Sequence, residues 1–360
     1  MILSCNYSVE IADIYNDRNI IINIWKRNLT AHGPEEHEIR FDWHYHHCPF
    51  GPGRVWLLRS PRDGSIIGTA GLGLRRIRMG DATILSGIAV DFAVDREHRL
   101  LLPALMLQRA VIRGLEEDLD LVYGLPNRNA IKIFGRVGYQ MLGTLSRYVK
   151  VLRVERFLNS RKMVPKFARP LVGAIADTGM RLRSPETWRQ VKGRVLKELQ
   201  EFDGRFDDLW EQVSTGAEMI GVRTSDFLRW RYKDCPLQDY VTLGLLSLGE
   251  DRLFGYVIFY AGDDEQVRIA DLLTDGSESA VENLLAGVIR WSRRTGAASV
   301  AFELFGAPWL EGVLRRFRFV KREMDAQLSV FPRVEAPTEL MSDRLKDWYF
   351  LRGDENVNTL

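Results

Sequence analysis

One seven-residue pattern occurs twice in this chain of 360 residues. Residues 43–49 read WHYHHCP and residues 230–236 read WRYKDCP, so Trp, Tyr, Cys and Pro recur at the same offsets. The residues after each copy are patterned alike. Three stretches of alternating apolar and polar residues are joined by turn residues. An amphipathic helical stretch, a short apolar run, a second helical stretch and a long closing strand come next. Period-two alternation marks strands, and apolar spacing of three and four marks helices. A chain patterned this way must fold as two like units, each large enough to bury its own core.

In the first half the strands read VWLLRSP, SIIGTAGLGLRRIRM and ATILSGIAVDFAVD, broken at Asp63-Gly64 and Gly80-Asp81. A helix is expected from Arg99 to Asp118, then the strand LDLVYGLP, a helix ending at Gly138 as C-cap, and the final strand YQMLGTLSRYVKVLR. The second half repeats the order, with Asp91 matching Asp271 and Gly138-Tyr139 matching Arg318-Phe319. The expected organisation is a first domain at 1–150, a connector at 151–205, a second domain at 206–335 and a tail at 336–360. The tail, WYFLRGDEN at its centre, is expected to pack over a domain edge.

The formal net charge of +2 hides an asymmetry. Between Lys150 and Lys197 thirteen Lys or Arg face three acidic residues, so the remainder is net negative. Pro165, Pro170 and Pro185 divide this basic segment into short helices. It reads either as a solvated linker or as a surface for an anionic partner, such as a carrier protein or a lipid surface. No run of eighteen apolar residues and no secretory leader are visible, so a cytoplasmic protein is expected. Three scattered cysteines, Cys5, Cys48 and Cys235, do not make a disulfide framework. DNA binding is not expected, because no helix-turn-helix, zinc motif or basic-aromatic pattern occurs.

The histidines of WHYHHCP suggest a metal at first sight, since His44 and His47 share a helix face. A metal needs three or four converging ligands, and the second copy replaces both with Arg231 and Asp234. No metal is therefore expected. The persistent Trp43 and Trp230 read as packing residues or as walls of a substrate groove. His44, His47 and Arg231 read as the variable, substrate-facing positions, and Asp271 as a further substrate-binding one. Arg229 and Arg231 can instead tie to Asp226 or Asp234 nearby. Cys48 and Cys235 read as small buried hydrophobes.

The stretch 90-VDFAVDREHRLLLPALMLQ-108, with 126-PNRNAIKIFGRVGY-139 downstream, resembles the acceptor strand, acyl-CoA loop and next helix of the GNAT (Gcn5-related N-acetyltransferase) superfamily. The resemblance covers nearly the whole chain as two tandem copies. It implies an α/β fold of two GNAT-like domains, each a mixed, mostly antiparallel sheet flanked by helices. It also implies an N-acyltransferase that moves an acyl group from acetyl-CoA or another acyl-CoA to a small-molecule amine acceptor. On this reading Asp91 is a candidate base and Tyr123 a second polar group. Phe92, Ala93, Val94, Arg99, Leu100, Leu101, Leu102, Asn129 and Phe134 are the cofactor-binding positions, and Asn129 can equally be a helix cap. The second copy, LTDGSESA, has no such loop. The first copy departs from the family pattern twice: Leu100 and Leu102 stand where glycine is usual, and Phe134 where a tyrosine acid is usual. Two alternatives stay open on these departures. One is a catalytically silent binding module; the other is an enzyme whose donor is a carrier protein or an aminoacyl-tRNA.

Overall fold

The computed structural model describes residues 7–29, 33–114, 118–154, 177–214, 219–333 and 347–355. Its strands are β1 (Ser8–Ile11), β2 (Arg54–Arg59), β3 (Ile66–Met79), β4 (Ala82–Val94), β5 (Leu121–Gly124), β6 (Gln140–Val151) and β7 (Arg194–Leu199), then β8 (Met219–Gly221), β9 (Val241–Ser247), β10 (Leu253–Ala261), β11 (Gln266–Thr274), β12 (Ser299–Phe305), β13 (Val320–Pro332) and β14 (Trp348–Leu351). Each half carries the expected antiparallel meander, β2-β3-β4 and β9-β10-β11. In each, the last meander strand then meets a parallel strand across a helical crossover: β4 with β5, and β11 with β12. The fold class is the tandem α/β arrangement expected.

The halves interlock. The long closing strand of the first half, β6, pairs with β12 and β13, both from the second half. In return β13 pairs with β5 of the first half. The strand order therefore runs β1-β2-β3-β4-β5-β13-β6-β12-β11-β10-β9-β7 without a break. Each sheet is completed by the other half's last strand, which satisfies edge groups that would otherwise face solvent.

The tail does not lie over an edge. β14 pairs antiparallel with β12 and parallel with β8, and β8 pairs with β3. These pairings close β3, β4, β5, β13, β6, β12, β14 and β8 into a ring. Trp348, Phe350 and Leu351 are fully buried there. Residues 155–176 of the basic segment lie outside the described residues. Its C-terminal part corrects the helical expectation: Arg194–Leu199 is a strand, paired with β9 at the sheet edge.

The two WxYxxCP copies form short π-helical turns, Asp42–His46 and Arg229–Lys233, each continuing a preceding α-helix. They meet face to face. Trp43 and Trp230 stack with ring centroids 4.8 Å apart. Each indole N–H donates to the other's backbone carbonyl, Trp43 to Trp230 at 2.9 Å and Trp230 to Trp43 at 3.0 Å. The reciprocal pair marks a local two-fold relation between the halves. Gly138 ends the Ile131–Val137 helix in the left-handed region, at φ 109°, and its counterpart Arg318 also lies there, at φ 65°.

Candidate active site

The first half opens where β4 and β5 part. They pair only from Ser86–Leu121 to Ile88–Tyr123, and beyond Ile88 the strands splay. The wedge widens into a cleft of about 1000 Å³. Its floor is β4 from Ile88 to Val94. One wall carries Arg99, Leu100 and Leu101, the opposite wall Pro126, Asn129 and Phe134, and the far side Met324, Asp325, Arg352 and Glu355.

A β-bulge shapes the floor. Thr69 faces Ala93 and Gly71 faces Val90, so Asp91 and Phe92 together oppose the single residue Ala70. Such a bulge leaves one residue without its ladder partner and turns the strand. Asp91 takes a left-handed conformation, φ 53°, which aspartate tolerates better than most residues. Three donors hold its carboxylate. Arg40 reaches Oδ1 at 2.9 Å and Oδ2 at 3.0 Å, and Tyr45 donates its hydroxyl to Oδ2 at 2.6 Å. Thr69 Oγ1 donates to the Asp91 carbonyl at 3.1 Å. Both carboxylate oxygens are thus occupied, a geometry that fixes the bulge rather than leaving a base for a substrate.

The cleft mouth is a helix start. The Leu101–Arg113 helix begins two residues after the expected start at Arg99, in the stretch that resembles an acyl-CoA loop. No residue from 95 to 104 has positive φ, so this loop does not use the conformation for which glycine is usual. Leu100 and Leu101 line the cleft; Leu102 is 48% exposed and is not part of its lining. Arg99 is anchored by Nε donating to the Val94 carbonyl at 2.9 Å and Nη2 to Asn28 Oδ1 at 3.0 Å. The first-turn amides and this guanidinium form a site suited to phosphate. Asn129 lines the cleft and does not cap the Ile131–Val137 helix, whose N-cap is Ala130; in the turn before it Asn127 Oδ1 accepts from the amides of Asn129 and Ala130, both at 3.0 Å.

Other expected site residues lie elsewhere. Tyr123 does not line the cleft: it is fully buried, packs edge-on against Trp348 and donates to the Asp354 carbonyl at 2.8 Å. Trp43, His44, Trp230 and Arg231 surround a separate cavity of about 10 Å³, room for one water and too small for an acceptor. Arg231 is spent on tail carbonyls, donating to Gly353 and Glu355 at 3.3 Å each. Arg229 ties locally to Asp226 at 3.0 Å. His47 is exposed, and no group of three or more His, Cys, Asp or Glu could hold a metal among the described residues. Cys48 and Cys235 are buried.

His44 finds no hydrogen-bond partner for either ring nitrogen among the described residues. Burial, then the nearby Arg40, pushes its pKa down from 6.5 to about 3. The folded protein therefore holds it neutral while the unfolded chain protonates it. Stability should fall as pH drops from 6.5 toward 3, by up to about 1.4 kcal/mol per unit. Urea unfolding across that range should show the slope, and His44→Leu should flatten it.

In the second half the corresponding wedge is filled. β11 and β12 pair from Gln266–Ser299 to Ile269–Phe302 and then part around a bulge at Ala270. β14 enters that gap, with Phe350 and Leu351 paired to Phe305 and Leu304. Tyr349 donates its hydroxyl to the Leu272 carbonyl at 2.7 Å. Asp271, the counterpart of Asp91, accepts from Tyr232 at 2.9 Å and from Arg223 at 3.0 Å. The tail turn passes directly over it: a Cβ on Gly353 would collide with the Tyr232 hydroxyl. The second half has no open wedge of this kind because the chain's own tail occupies it. Sequence patterning contains no signal for this, since nothing local ties residues 348–355 to that gap.

No protein-family model and no curated protein sequence matches the chain. Solved structures do. The chain is similar to a conserved protein of unknown function from Enterococcus faecalis V583, with TM-score 0.65 and 13% identity over 94% of this chain and 74% of that one. It is similar to a GCN5-related N-acetyltransferase from Anabaena variabilis, with TM-score 0.64 and 13% identity over 90% and 72%. It is also similar to the N-myristoyltransferase of Saccharomyces cerevisiae, solved with bound myristoyl-CoA, with TM-score 0.56 and 12% identity over 92% and 80%. The chain thus has the fold of the GCN5-related acyltransferases in tandem form.

Proposed function

We propose that this protein is an acyltransferase that takes its acyl group from an acyl-CoA thioester and passes it to an amine. The observation that carries this reading is the open β4–β5 wedge, with a bulge in its floor and a helix start with Arg99 at its mouth. An extended donor would lie along it with its pyrophosphate on the amides of Leu101 and Leu102 and on Arg99. The thioester would then reach the bulge, where an unpaired backbone amide can meet the developing oxyanion. Asp91 serves by holding that bulge. The acceptor is proposed to be a small-molecule amine.

No helix among the described residues is long and apolar enough to cross a membrane. Of the proposed surface for an anionic partner at 150–197, residues 155–176 lie outside those described.

Calorimetric titration with acetyl-CoA and with decanoyl-CoA tests the reading. Micromolar binding is expected, weakened about tenfold by Arg99→Ala through loss of one charge-assisted contact. Absence of binding to either thioester would remove the donor assignment.

A further inference from the structure

The tail does more than fill the second wedge. After β14 it turns through a 3₁₀ turn, Arg352–Asp354, and reaches the first half's cleft. Arg352 and Glu355 both line that cleft. Glu355 also borders the small His44 cavity, as does Ile88. Ile88 marks the apex of the wedge, the last β4 residue paired with β5. One residue earlier, the Asp354 carbonyl accepts from Tyr123 on β5. Glu355 is thereby placed at the closed end of the cleft, opposite the Leu101–Arg113 helix start. A donor held by its phosphates at the mouth presents its thioester toward this end.

Four side chains that line the cleft carry an imidazole or a carboxylate: His37, Asp91, Asp325 and Glu355. His37 bonds the Leu29 carbonyl at 3.0 Å. Asp91 is held by Arg40 and Tyr45. Asp325 is an exposed residue paired with Arg128. Glu355 is 4% exposed and accepts from Arg352 at 3.0 Å. Arg352 also bonds Glu303, at 3.0 Å. Among the described residues, the charged groups around Glu355 include Arg352 and Asp354 on the tail, Glu303 on β12 through the shared Arg352, Arg231 and neutral His44 on the π turns, and Arg75 on β3.

We propose that Glu355, delivered by the C-terminal tail, is the group that takes the proton from the acceptor amine. This rests on the acyl-CoA reading of the cleft. The acceptor arrives as an ammonium and Glu355 accepts one proton. The neutral nitrogen attacks the thioester carbonyl carbon, a C–N bond forms and the C–S bond breaks with its electron pair leaving on sulfur. The nitrogen's second proton passes to the thiolate, and Glu355 returns the first to solvent. The tail is then an arm of the active site as well as a strand of the ring.

The test uses the full chain, decanoyl-CoA and two nucleophiles. Glycinamide is largely an ammonium at neutral pH and needs a base; hydroxylamine is already neutral. Glu355→Gln should leave decanoyl-CoA binding within about twofold. It should lower glycinamide-driven thiol release about a hundredfold, remove the acid limb of its pH profile, and reduce hydroxylamine-driven release by less than tenfold. Glu355→Asp, which keeps the charge and shortens the reach, should lie between and guards against a Gln variant that fails to fold. An equal loss with both nucleophiles, an unchanged rate, or a parent protein that binds decanoyl-CoA yet transfers to neither nucleophile overturns the proposal. Failure of the parent to bind any acyl-CoA overturns the donor reading itself.

Discussion

Asp354→Ala should cost about 3–5 kcal/mol of folding stability, the usual consequence of removing one partner from a buried ion pair. Asp354 Oδ1 accepts from Arg75 at 2.7 Å and Oδ2 from Arg223 at 2.7 Å, and the Leu351 amide donates to it at 3.0 Å. All three charged side chains are at most 5% exposed. Burial alone would raise the Asp354 carboxyl, but Arg223 and Arg75 outweigh that and hold it below the usual carboxylate range. Its contribution is therefore present at neutral pH and lost as pH falls through the depressed value. Arg75 belongs to the first half and Arg223 to the second, so the substitution strips a joint between them and loosens the strand that closes the ring. Thermal or urea unfolding measures it directly. Asp354→Asn, which keeps the shape, should lose less. A loss below about 1 kcal/mol for alanine would mean that backbone pairing of β14 alone holds the tail.

The second large effect is at Asp91. Asp91→Ala leaves Arg40, wholly buried, without its counter-ion and should destabilise by a comparable amount, about 3–5 kcal/mol. Asp91→Asn keeps the size and one acceptor, so the protein should still fold. Acyl transfer should nonetheless fall about a hundredfold, because displacing the bulge by even an ångström misaligns the amide that meets the thioester. Steady-state rates beside a stability measurement separate the two. If Asp91→Asn transfers normally, the bulge does not need its ionic anchor. A variant that loses the rate while keeping acyl-CoA affinity places the defect in the chemistry.

Much of the fold was legible. Period-two alternation marked the meanders, Gly138 marked a helix end, and the doubled WxYxxCP pattern announced two like halves. The Asp91–Asp271 match was also legible, and both aspartates sit at bulges held by the Tyr of that pattern, Tyr45 and Tyr232. The role of the motif was less so. Its tryptophans are not groove walls; they stack on each other, a pairing across 187 positions that neither copy shows by itself. Tyr123 looked like a polar group near the cleft because it lies on β5, yet the tail takes its hydroxyl.

The sequence by itself determined the duplication and the strand and helix order, because these rest on local periodicity and turn chemistry. Only the tertiary structure decided that β6 and β13 change places between the halves, and that the tail closes the ring, fills the second wedge and brings Glu355 to the first. An alternating strand specifies which face it buries, not which edge it joins. Nothing local ties the charges of RGDEN to Arg75 and Arg223, 279 and 131 positions away, which the fold brings beside Asp354.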